Sequence, residues 1–219
     1  MNSEFKRILS LNREDLIKII IEYKAREQDY KLQNQLFKQL IKNYRDLSKE
    51  LKVSIKRVTN LSVTDPLTRI YNRIKFNEEL DIQIKTFGRH KSTFSLIMFD
   101  IDHFKNVNDT YGHDVGDIVL KTLCEIVQGC IREEDVFARW GGEEFMLLMP
   151  NDNLDMAKNA ADRIRIKVEA YYFEQVKSIT CSFGVTEFRN EDKNDTFTKR
   201  VDDALYTAKH QGRNCVVAL

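Results

Sequence analysis

From Ala138 to Met149 the chain reads A-R-W-G-G-E-E-F-M-L-L-M. Two adjacent glycines stand between two apolar runs, which predicts a β-hairpin with Gly141-Gly142 as its two-residue turn. Glycine tolerates a positive φ and lets another molecule approach the backbone closely. Glu143 and Glu144 follow directly, and successive carboxylates on a strand point to opposite faces, so one of them can face a cleft. An ordinary hairpin with solvated glutamates has the same pattern, so this stretch alone does not distinguish a functional site from a simple turn.

The composition indicates one substantial domain with an extension. Of the 219 residues, 42% are hydrophobic and 10% aromatic, which is enough for a packed core. Before Val63 there are 14 basic and 8 acidic residues, a net charge of +6, and the remainder has 21 basic and 26 acidic residues, a net charge of −5. Because a negatively charged domain is a poor general surface for nucleic acid, we expect no nucleic-acid partner. Any phosphate should instead be held by a few local cations and a divalent metal.

The cysteines and the apolar runs bear on the compartment. The four cysteines show no C-x-x-C spacing, and the four histidines make no H-E-x-x-H motif. This pattern favours buried thiols in a reducing compartment over disulfides or zinc. No apolar run approaches 18 residues, and the N-terminus lacks the layout of a signal peptide. We therefore expect a cytoplasmic protein with no membrane segment.

Residues 1–63 predict a long helix that dimerises the chain. Asn12 can cap its start, and no glycine or proline occurs before Pro66. From about Tyr30 a heptad repeat has two seam positions, occupied by Tyr30, Phe37, Tyr44, Leu51 and Val58 and by Leu40, Leu47, Ser54 and Leu61. Such a repeat predicts a parallel coiled coil. A long amphipathic helix folded back on its own domain is the alternative, because the seam contains tyrosines and a serine.

Pro66 marks the start of a second domain, residues 64–219, since proline removes a donor and restricts the residue before it. Its patterns predict helices over 73–87, 103–111, 115–128, 154–171 and 197–210. They predict strands over 93–99, 179–188 and 215–219 in addition to the hairpin. This order predicts an α+β fold in which a central mixed or antiparallel β-sheet is covered by helices.

Acidic side chains stand at the ends of two predicted strands. Asp100 follows a buried strand, and Glu143 begins its expected neighbour. Two carboxylates brought together there form an oxygen-rich site that suits Mg²⁺ with substrate phosphates. The helix after Asp100 offers the backbone N–H groups of His103, Phe104 and Lys105 to phosphate oxygens, and Lys105 adds a positive charge.

Two more cations surround the end of the helix predicted over 197–210. Lys209 lies in its last turn, and Arg213 follows it closely. Together they predict a second phosphate clamp, although either cation alone is more often simply solvated.

Six blocks of sequence stand in order between residues 64 and 219. They are D-P-L-T-R-I-Y-N-R (65–73), F-D-I-D-H-F-K-N-V-N-D (99–109), Y-G-H-D-V-G-D (111–117), R-W-G-G-E-E-F (139–145), S-F-G-V (182–185) and A-L-Y-T-A-K-H-Q-G-R-N (204–214). Together they resemble the GGDEF family of diguanylate cyclases, and six ordered blocks are far more specific than any one of them. The first 63 residues lie outside this resemblance.

The resemblance implies a bacterial signalling enzyme that condenses two GTP molecules, one on each of two facing domains, into cyclic di-GMP and two pyrophosphates. It implies that Mg²⁺, or Mn²⁺ in its place, is bound by Asp100, Glu143 and the Ile101 carbonyl. Phosphates would be held by Lys105, Lys209 and Arg213. Glu143 replaces the aspartate of the family name with the same ligand chemistry, and Glu144 is implied to assist at the reacting hydroxyl.

The resemblance also implies that Asn108 and Asp117 bind guanine. A carboxylate at position 117 can accept from the N1–H and N2–H₂ donors of guanine, and adenine lacks both, so the assignment disfavours ATP. The alternative is that both residues merely cap a surface helix.

The resemblance also implies a product-binding inhibitory site at R-x-x-D, Arg132 to Asp135, which five residues separate from Gly141. Arg132 can fork onto a phosphate or the Hoogsteen edge of guanine, and Asp135 can accept from guanine donors. Arg163 on the following helix completes the site from a partner domain in this interpretation. A surface ion pair is the ordinary explanation of such a tetrapeptide.

Two other functional classes stay open at this level. One is a catalytically silent GGDEF module that binds GTP or cyclic di-GMP as an effector, although intact Asp100, Lys105, Glu143 and Glu144 argue against it. The other is an assembly scaffold driven by the coiled coil.

Overall fold

The computed structural model describes residues 12–60, 63–90 and 92–219, and the chain forms two units, Met1–Leu61 and Ser62–Leu219. The described part of the first unit is helix α1 (Arg13–Asn60). Asn12 caps it as predicted, because its side-chain oxygen accepts from the backbone N–H groups of Glu14 (3.0 Å) and Asp15 (2.9 Å).

The predicted seam of α1 consists of exposed apolar and aromatic side chains. Between 59% and 73% of the surface of each is accessible in the single chain at Tyr30, Phe37, Leu40, Tyr44, Leu47 and Leu51. Leu61 and the side chains of Ser54 and Val58 lie outside the described residues.

The second unit contains the predicted helices and strands. Its helices are α2 (Arg73–His90), α3 (Phe104–Tyr111), α4 (His113–Gln128), α5 (Leu154–Ala170) and α6 (Asn194–His210). Its strands are β1 (Tyr71–Asn72), β2 (Phe94–Ile101), β3 (Val136–Gly141), β4 (Glu144–Pro150), β5 (Cys181–Glu187) and β6 (Val216–Ala218). Each predicted element is present within a few residues of its expected bounds, and the two-residue β1 is an addition.

The strands form a mixed sheet in the order β1-β3-β4-β2-β5-β6. The central β2 is antiparallel to both β4 and β5, and β3 is antiparallel to β4. The edge pairs β1–β3 and β5–β6 are parallel. The prediction of a mixed sheet covered by helices is therefore confirmed.

Alternation along β2 divides the core into two layers. Ile97, Phe99 and Ile101 belong to a hydrophobic cluster with residues of α4 and α5. Leu96 and Met98 belong to a second cluster, with residues of α2 and α6. Since successive side chains of a strand alternate between faces, Asp100 lies on the face of the sheet that α2 and α6 cover.

The hairpin differs from the predicted one in its turn. Gly141 pairs with Glu144, so the two-residue turn is Gly142–Glu143, and the register shifts between Arg139 and Gly141. Neither Gly141 nor Gly142 has a positive φ; among the described glycines that conformation occurs at Gly112 and Gly212. Trp140 is the unpaired residue at this irregularity, and it moves the turn along by one position. A local pattern of two glycines does not predict such a shift.

Candidate active site

Asp100 lies at the centre of the sheet, near the end of β2. It is directly opposite Glu144 of β4 and Ser182 of β5. The sequence predicts Glu143 as the acidic residue on the neighbouring strand, but the structure places Glu144 there and Glu143 in the turn. The carboxylate is buried, and its Oδ2 lies 2.9 Å from Nζ of Lys209 in the last turn of α6. This contact follows from the alternation of β2, because residue 100 faces the layer that contains α6.

Glu143 occupies the turn next to this pair. Its backbone carbonyl accepts from the N–H of Ile101 at 3.4 Å, so the turn is joined to the end of β2. The structure therefore brings together three of the predicted acidic and basic groups, Asp100, Glu143 and Lys209, with Glu144 as a fourth.

Burial, and to a smaller extent the neighbouring carboxylates, raise the pKa values of Asp100 and Glu143. Burial raises the pKa of Asp100 to about 6, the hydrogen bond and charge of Lys209 oppose this shift, and the charges of Glu143 and Glu144 add to it. Burial also raises the pKa of Glu143, with Lys209 lowering it and Glu144 raising it. A cluster in which carboxylates raise each other's pKa values is an environment that favours additional positive charge.

Arg139 holds the turn in place. Its Nε and Nη2 donate to the carbonyl oxygen of Gly142 at 2.9 and 2.6 Å, and its Nη1 donates to Oδ1 of Asp65 at 3.1 Å. Asp65 also accepts from the backbone N–H and the hydroxyl of Thr68. Burial opposes ionisation of Asp65, but these hydrogen bonds outweigh burial and lower its pKa. Asp65 and Arg139 both belong to the sequence blocks quoted above, but they lie 74 positions apart, so their spacing does not predict this ion pair.

Helix α3 starts beside the acidic cluster. His103 precedes it with a left-handed φ of 59° and makes no side-chain cap. The first N–H groups of the helix, including those of Phe104 and Lys105, have no carbonyl partner one turn earlier within the helix, which makes this end suitable for an anion. Phe104 is buried, and Lys105 is exposed. Phe104 and Lys105, two of the residues predicted to contact phosphate, thus lie in the first turn of the helix that follows Asp100.

Asn108 and Asp117 lie on the neighbouring helices α3 and α4. Asn108 packs on Gly116, the residue before Asp117, since a Cβ built on Gly116 would lie 2.0 Å from its Oδ1. Within the described residues neither Asn108 nor Asp117 forms a side-chain hydrogen bond, so both are free to bind a ligand.

Arg213 stands in a turn of unusual backbone conformation. Gly212, Arg213 and Asn214 all have positive φ, at 109°, 65° and 45°. The backbone N–H of Asn214 donates to Asp102 Oδ2 at 3.1 Å, and Asp102 also accepts from the hydroxyls of Thr180 (2.7 Å) and Ser182 (2.6 Å). Asp102 is not among the site residues predicted from the sequence. Its place two residues after Asp100 is the one feature of the sequence that points to a role near the site. It fixes the turn that presents Arg213.

The acidic cluster fits a magnesium ion. Within the described residues no group of three His, Cys, Asp or Glu side chains is placed to hold a metal ion by itself, so phosphate oxygens of a bound substrate would have to complete the set of ligands. The donors Asp100, Glu143 and the Ile101 carbonyl are all oxygen, which suits Mg²⁺ or Mn²⁺ and not a soft metal.

The predicted product-binding residues surround the loop before β3. Arg132 is 53% exposed, and its Nη1 lies 3.0 Å from the buried Oδ1 of Asp152. Asp135 accepts from the backbone N–H of Arg132 at 2.8 Å, while its Oδ1 is buried without a hydrogen-bond partner in the described structure. Burial raises the pKa of Asp135. Nη2 of Arg163 donates to the carbonyl of Cys130 at 2.9 Å, so the three residues lie around one loop.

Comparison with known proteins gives the same family as the sequence blocks. Residues 62–215 match the family described as "Diguanylate cyclase, GGDEF domain". Diguanylate cyclase DgcM of Escherichia coli (strain K12) is 40% identical over 154 residues, which cover 70% of this chain and 38% of that protein. The chain spans between 23% and 50% of the length of the curated relatives DgcM, DgcP, DgcT and diguanylate cyclase A.

Two solved structures extend the similarity into α1. The coiled coil and GGDEF domain of DgcB from Caulobacter crescentus, in complex with c-di-GMP, has a TM-score of 0.70 at 28% identity and covers 84% of this chain and 99% of that one. Diguanylate cyclase SiaD from Pseudomonas aeruginosa, in complex with its activator SiaC, has a TM-score of 0.69 at 35% identity and covers 99% of this chain and 86% of that one.

In the described part of the chain, none of the helices has the length and apolar character that crossing a bilayer requires.

Proposed function

Because the chain belongs to the GGDEF family of diguanylate cyclase domains, we propose that it condenses two GTP molecules into cyclic di-GMP and two pyrophosphates. The observation that carries this proposal is the cluster of Asp100, Glu143 and Glu144 beside Lys209, at the start of α3. A silent family member would be free to lose these groups, and this chain keeps all of them.

Each group has a defined task in this reaction. Asp100, Glu143 and the Ile101 carbonyl would hold Mg²⁺, which would supply polarisation of the α-phosphate. Lys105, Lys209 and Arg213 bind phosphate oxygens and neutralise their charge as pyrophosphate leaves. Glu144 accepts the hydrogen bond of the attacking 3′-hydroxyl and takes its proton as the 3′-oxygen bonds to the α-phosphorus and the bond to the leaving pyrophosphate breaks.

Asn108 and Asp117 select the base. Asp117 accepts from the N1–H and N2–H₂ groups of guanine, and a bound adenine would leave this carboxylate without donors. The absence of intramolecular partners for both side chains in the described structure supports this role, because nothing within the domain competes with the base.

Two domains have to meet for the reaction, since each binds one GTP and the product joins two. We place dimerisation in α1, through the exposed seam that includes Tyr30, Phe37, Tyr44, Leu47 and Leu51. A change in the register of this coiled coil would bring the two half-sites together or hold them apart, which makes α1 the input region. The similarity to the coiled coil and GGDEF domain of DgcB, which covers 84% of this chain, supports this placement.

Product inhibition is the second regulatory element of the proposal. Cyclic di-GMP binds Arg132 and Asp135 of one domain and Arg163 of its partner, and holds the domains in a non-productive arrangement. The unpartnered Oδ1 of Asp135 supports this role, because no donor within the described domain occupies this acceptor. The setting is the cytoplasm, where the free cysteines stay reduced.

The deciding experiment is product analysis. Purified protein is incubated with GTP or ATP, with and without Mg²⁺, and the products are separated and identified by mass. Of these four incubations, only GTP with Mg²⁺ should give cyclic di-GMP and pyrophosphate. Binding of GTP without turnover would identify a silent effector-binding module instead, and a dimer that binds neither nucleotide would identify a scaffold.

A further inference from the structure

Gly116 is a buried position in the first turns of α4, directly against the side chain of Asn108. A Cβ at position 116 would lie 2.0 Å from Oδ1 of Asn108 and 3.1 Å from its Cγ. The third near atom is Cζ of Phe104, at 3.2 Å. The Asn108 amide therefore occupies the space that any other residue at position 116 would fill.

We infer that Gly116 is a positioning residue for base selection: its missing side chain leaves the space that the Asn108 amide occupies, next to the residue that precedes Asp117. This inference rests on the proposed function, in which Asn108 and Asp117 bind guanine. Gly116 is then a third residue of the base-binding region. It does not contact the base, but it determines the position of the Asn108 amide.

A side chain at position 116 would clash with side-chain atoms, which can rotate away. At another glycine, Gly184 of the sheet, the clash would be with backbone atoms. At Gly184 a Cβ would lie 2.4 Å from the backbone atoms Leu205 N and Val201 O, which cannot move without shifting α6. At Gly116 the nearest atoms are at the far end of the Asn108 side chain. We expect an alanine at position 116 to be accommodated by rotation of that side chain and a small shift of Phe104, whose Cζ would lie 3.2 Å from the new Cβ, so the fold is kept and the amide is displaced.

The backbone of Asn108 is fixed, so only its side chain can respond. Its carbonyl accepts from the N–H of Gly112 at 2.9 Å, at the junction of α3 and α4. The side chain has no hydrogen-bond partner among the described residues that would hold it in its present rotamer. The position of the amide therefore depends on the space over Gly116 staying open.

Nucleotide binding by the full chain tests the inference without turnover. The probes are 3′-deoxy-GTP and 3′-deoxy-ATP with Mg²⁺, which lack the 3′-hydroxyl that condensation requires, and the readout is calorimetric affinity. Gly116→Ala should weaken binding of 3′-deoxy-GTP about tenfold, the loss of one good hydrogen bond, and leave 3′-deoxy-ATP binding unchanged. Gly129→Ala is the matched control, because a Cβ there makes only ordinary contacts at 3.6 Å and its φ is −74°.

A double-mutant cycle separates positioning from a general structural role. Once Asn108→Ala has removed the obstructing amide, adding Gly116→Ala should not change the affinity for either probe. If Gly116→Ala alone fails to fold, Asn108→Ala/Gly116→Ala should fold, because the two nearest atoms are gone and only Phe104 Cζ, at 3.2 Å, remains close to the new methyl group.

The inference is overturned if Gly116→Ala keeps the wild-type preference for 3′-deoxy-GTP. It is equally overturned if Gly116→Ala weakens binding as much in the Asn108→Ala background, or if the double variant does not fold. A wild-type protein that binds both probes equally would contradict the guanine site of the proposed function itself, a separate result from any of these.

Discussion

Asp100 and Asp102 stand two residues apart in the chain, yet they have different partners. Asp100 is paired with the ammonium of Lys209, which is 31% exposed and can exchange its partner when another cation or a phosphate is bound. The oxygens of Asp102 are occupied by two hydroxyls and a backbone N–H. Of the two acids in D-I-D, only Asp100 is thus available to a metal, and Asp102 serves the architecture around it.

The first prediction at this scale concerns Glu143. Glu143→Gln keeps the size of the side chain and removes the charge of a proposed metal ligand, so product formation from GTP should fall at least about 100-fold while the melting temperature stays within a few degrees. Glu134→Gln changes an exposed glutamate nearby in sequence and should leave the rate unchanged. Near-normal turnover of Glu143→Gln would show that this carboxylate does not bind the metal.

A second residue-level prediction concerns the ion pair of Asp192 and Arg200, which is remote from the acidic cluster. Both carboxylate oxygens are within 2.8 Å of the guanidinium, and the Asp192 side chain is 5% exposed. Burial opposes ionisation, but hydrogen bonds from Arg200 and from the N–H of Arg189 outweigh burial and lower the pKa of Asp192 below 3.8. The stabilisation is therefore present above the unfolded pKa of 3.8 and is lost as pH falls through the lower folded value.

Urea unfolding between pH 3 and pH 7 measures this contribution. Asp192→Asn should lose about 1–3 kcal/mol of unfolding free energy at pH 7, and the difference from wild type should shrink below about pH 4. Asp203→Asn, at an exposed pair 3.9 Å from Lys199, is the control and should change little. A deficit for Asp192→Asn that is constant across the pH range would contradict the argument.

At the scale of elements, the close approach of β5 and α6 positions Lys209. Gly184 of β5 faces the α6 backbone so closely that its missing side chain is what allows the contact. The same helix presents Lys209 to Asp100, so the distance between strand and helix also sets the geometry of the acidic cluster.

Gly184→Ala should therefore destabilise the domain by about 1–3 kcal/mol, because a methyl group has to displace backbone atoms of α6. Gly88→Ala provides the comparison, since a Cβ there meets no atom within 4 Å. Thermal unfolding of both variants gives the answer. Equal melting temperatures for the two would mean that α6 adjusts without cost.

On the scale of the whole molecule, assembly and rate should be linked. Leu47→Glu/Leu51→Glu puts charges into the proposed seam, and the dimer should give way to a 25.8 kDa monomer whose activity per chain falls most at low concentration. Gln28→Glu/Gln35→Glu adds the same charges at exposed positions outside the seam and should stay dimeric. Light scattering and rates across a dilution series test this. Activity per chain that is independent of both dilution and the seam substitutions would exclude dimerisation through α1.

Product inhibition is also a property of the whole molecule. Arg132→Ala removes the exposed guanidinium of the proposed product site, so the plateau of product accumulation should rise while the initial rate stays nearly unchanged. Progress curves with and without added cyclic di-GMP provide the measurement. If added product slows wild type and Arg132→Ala equally, the site lies elsewhere.

The sequence by itself determined the elements and the family. Alternation and helical periodicity are local properties, so each major helix and strand of the second unit was predicted within a few residues, and the ordered motif blocks identified the family. The pairing of Asp100 with Lys209 follows only once β2 has a face and α6 covers it. The tertiary structure likewise decided that Glu144 lies opposite Asp100, that the turn is Gly142–Glu143, and that Arg139 joins this turn to Asp65. These contacts depend on strand register and helix packing between distant segments, and the spacing of residues along the chain does not encode them locally.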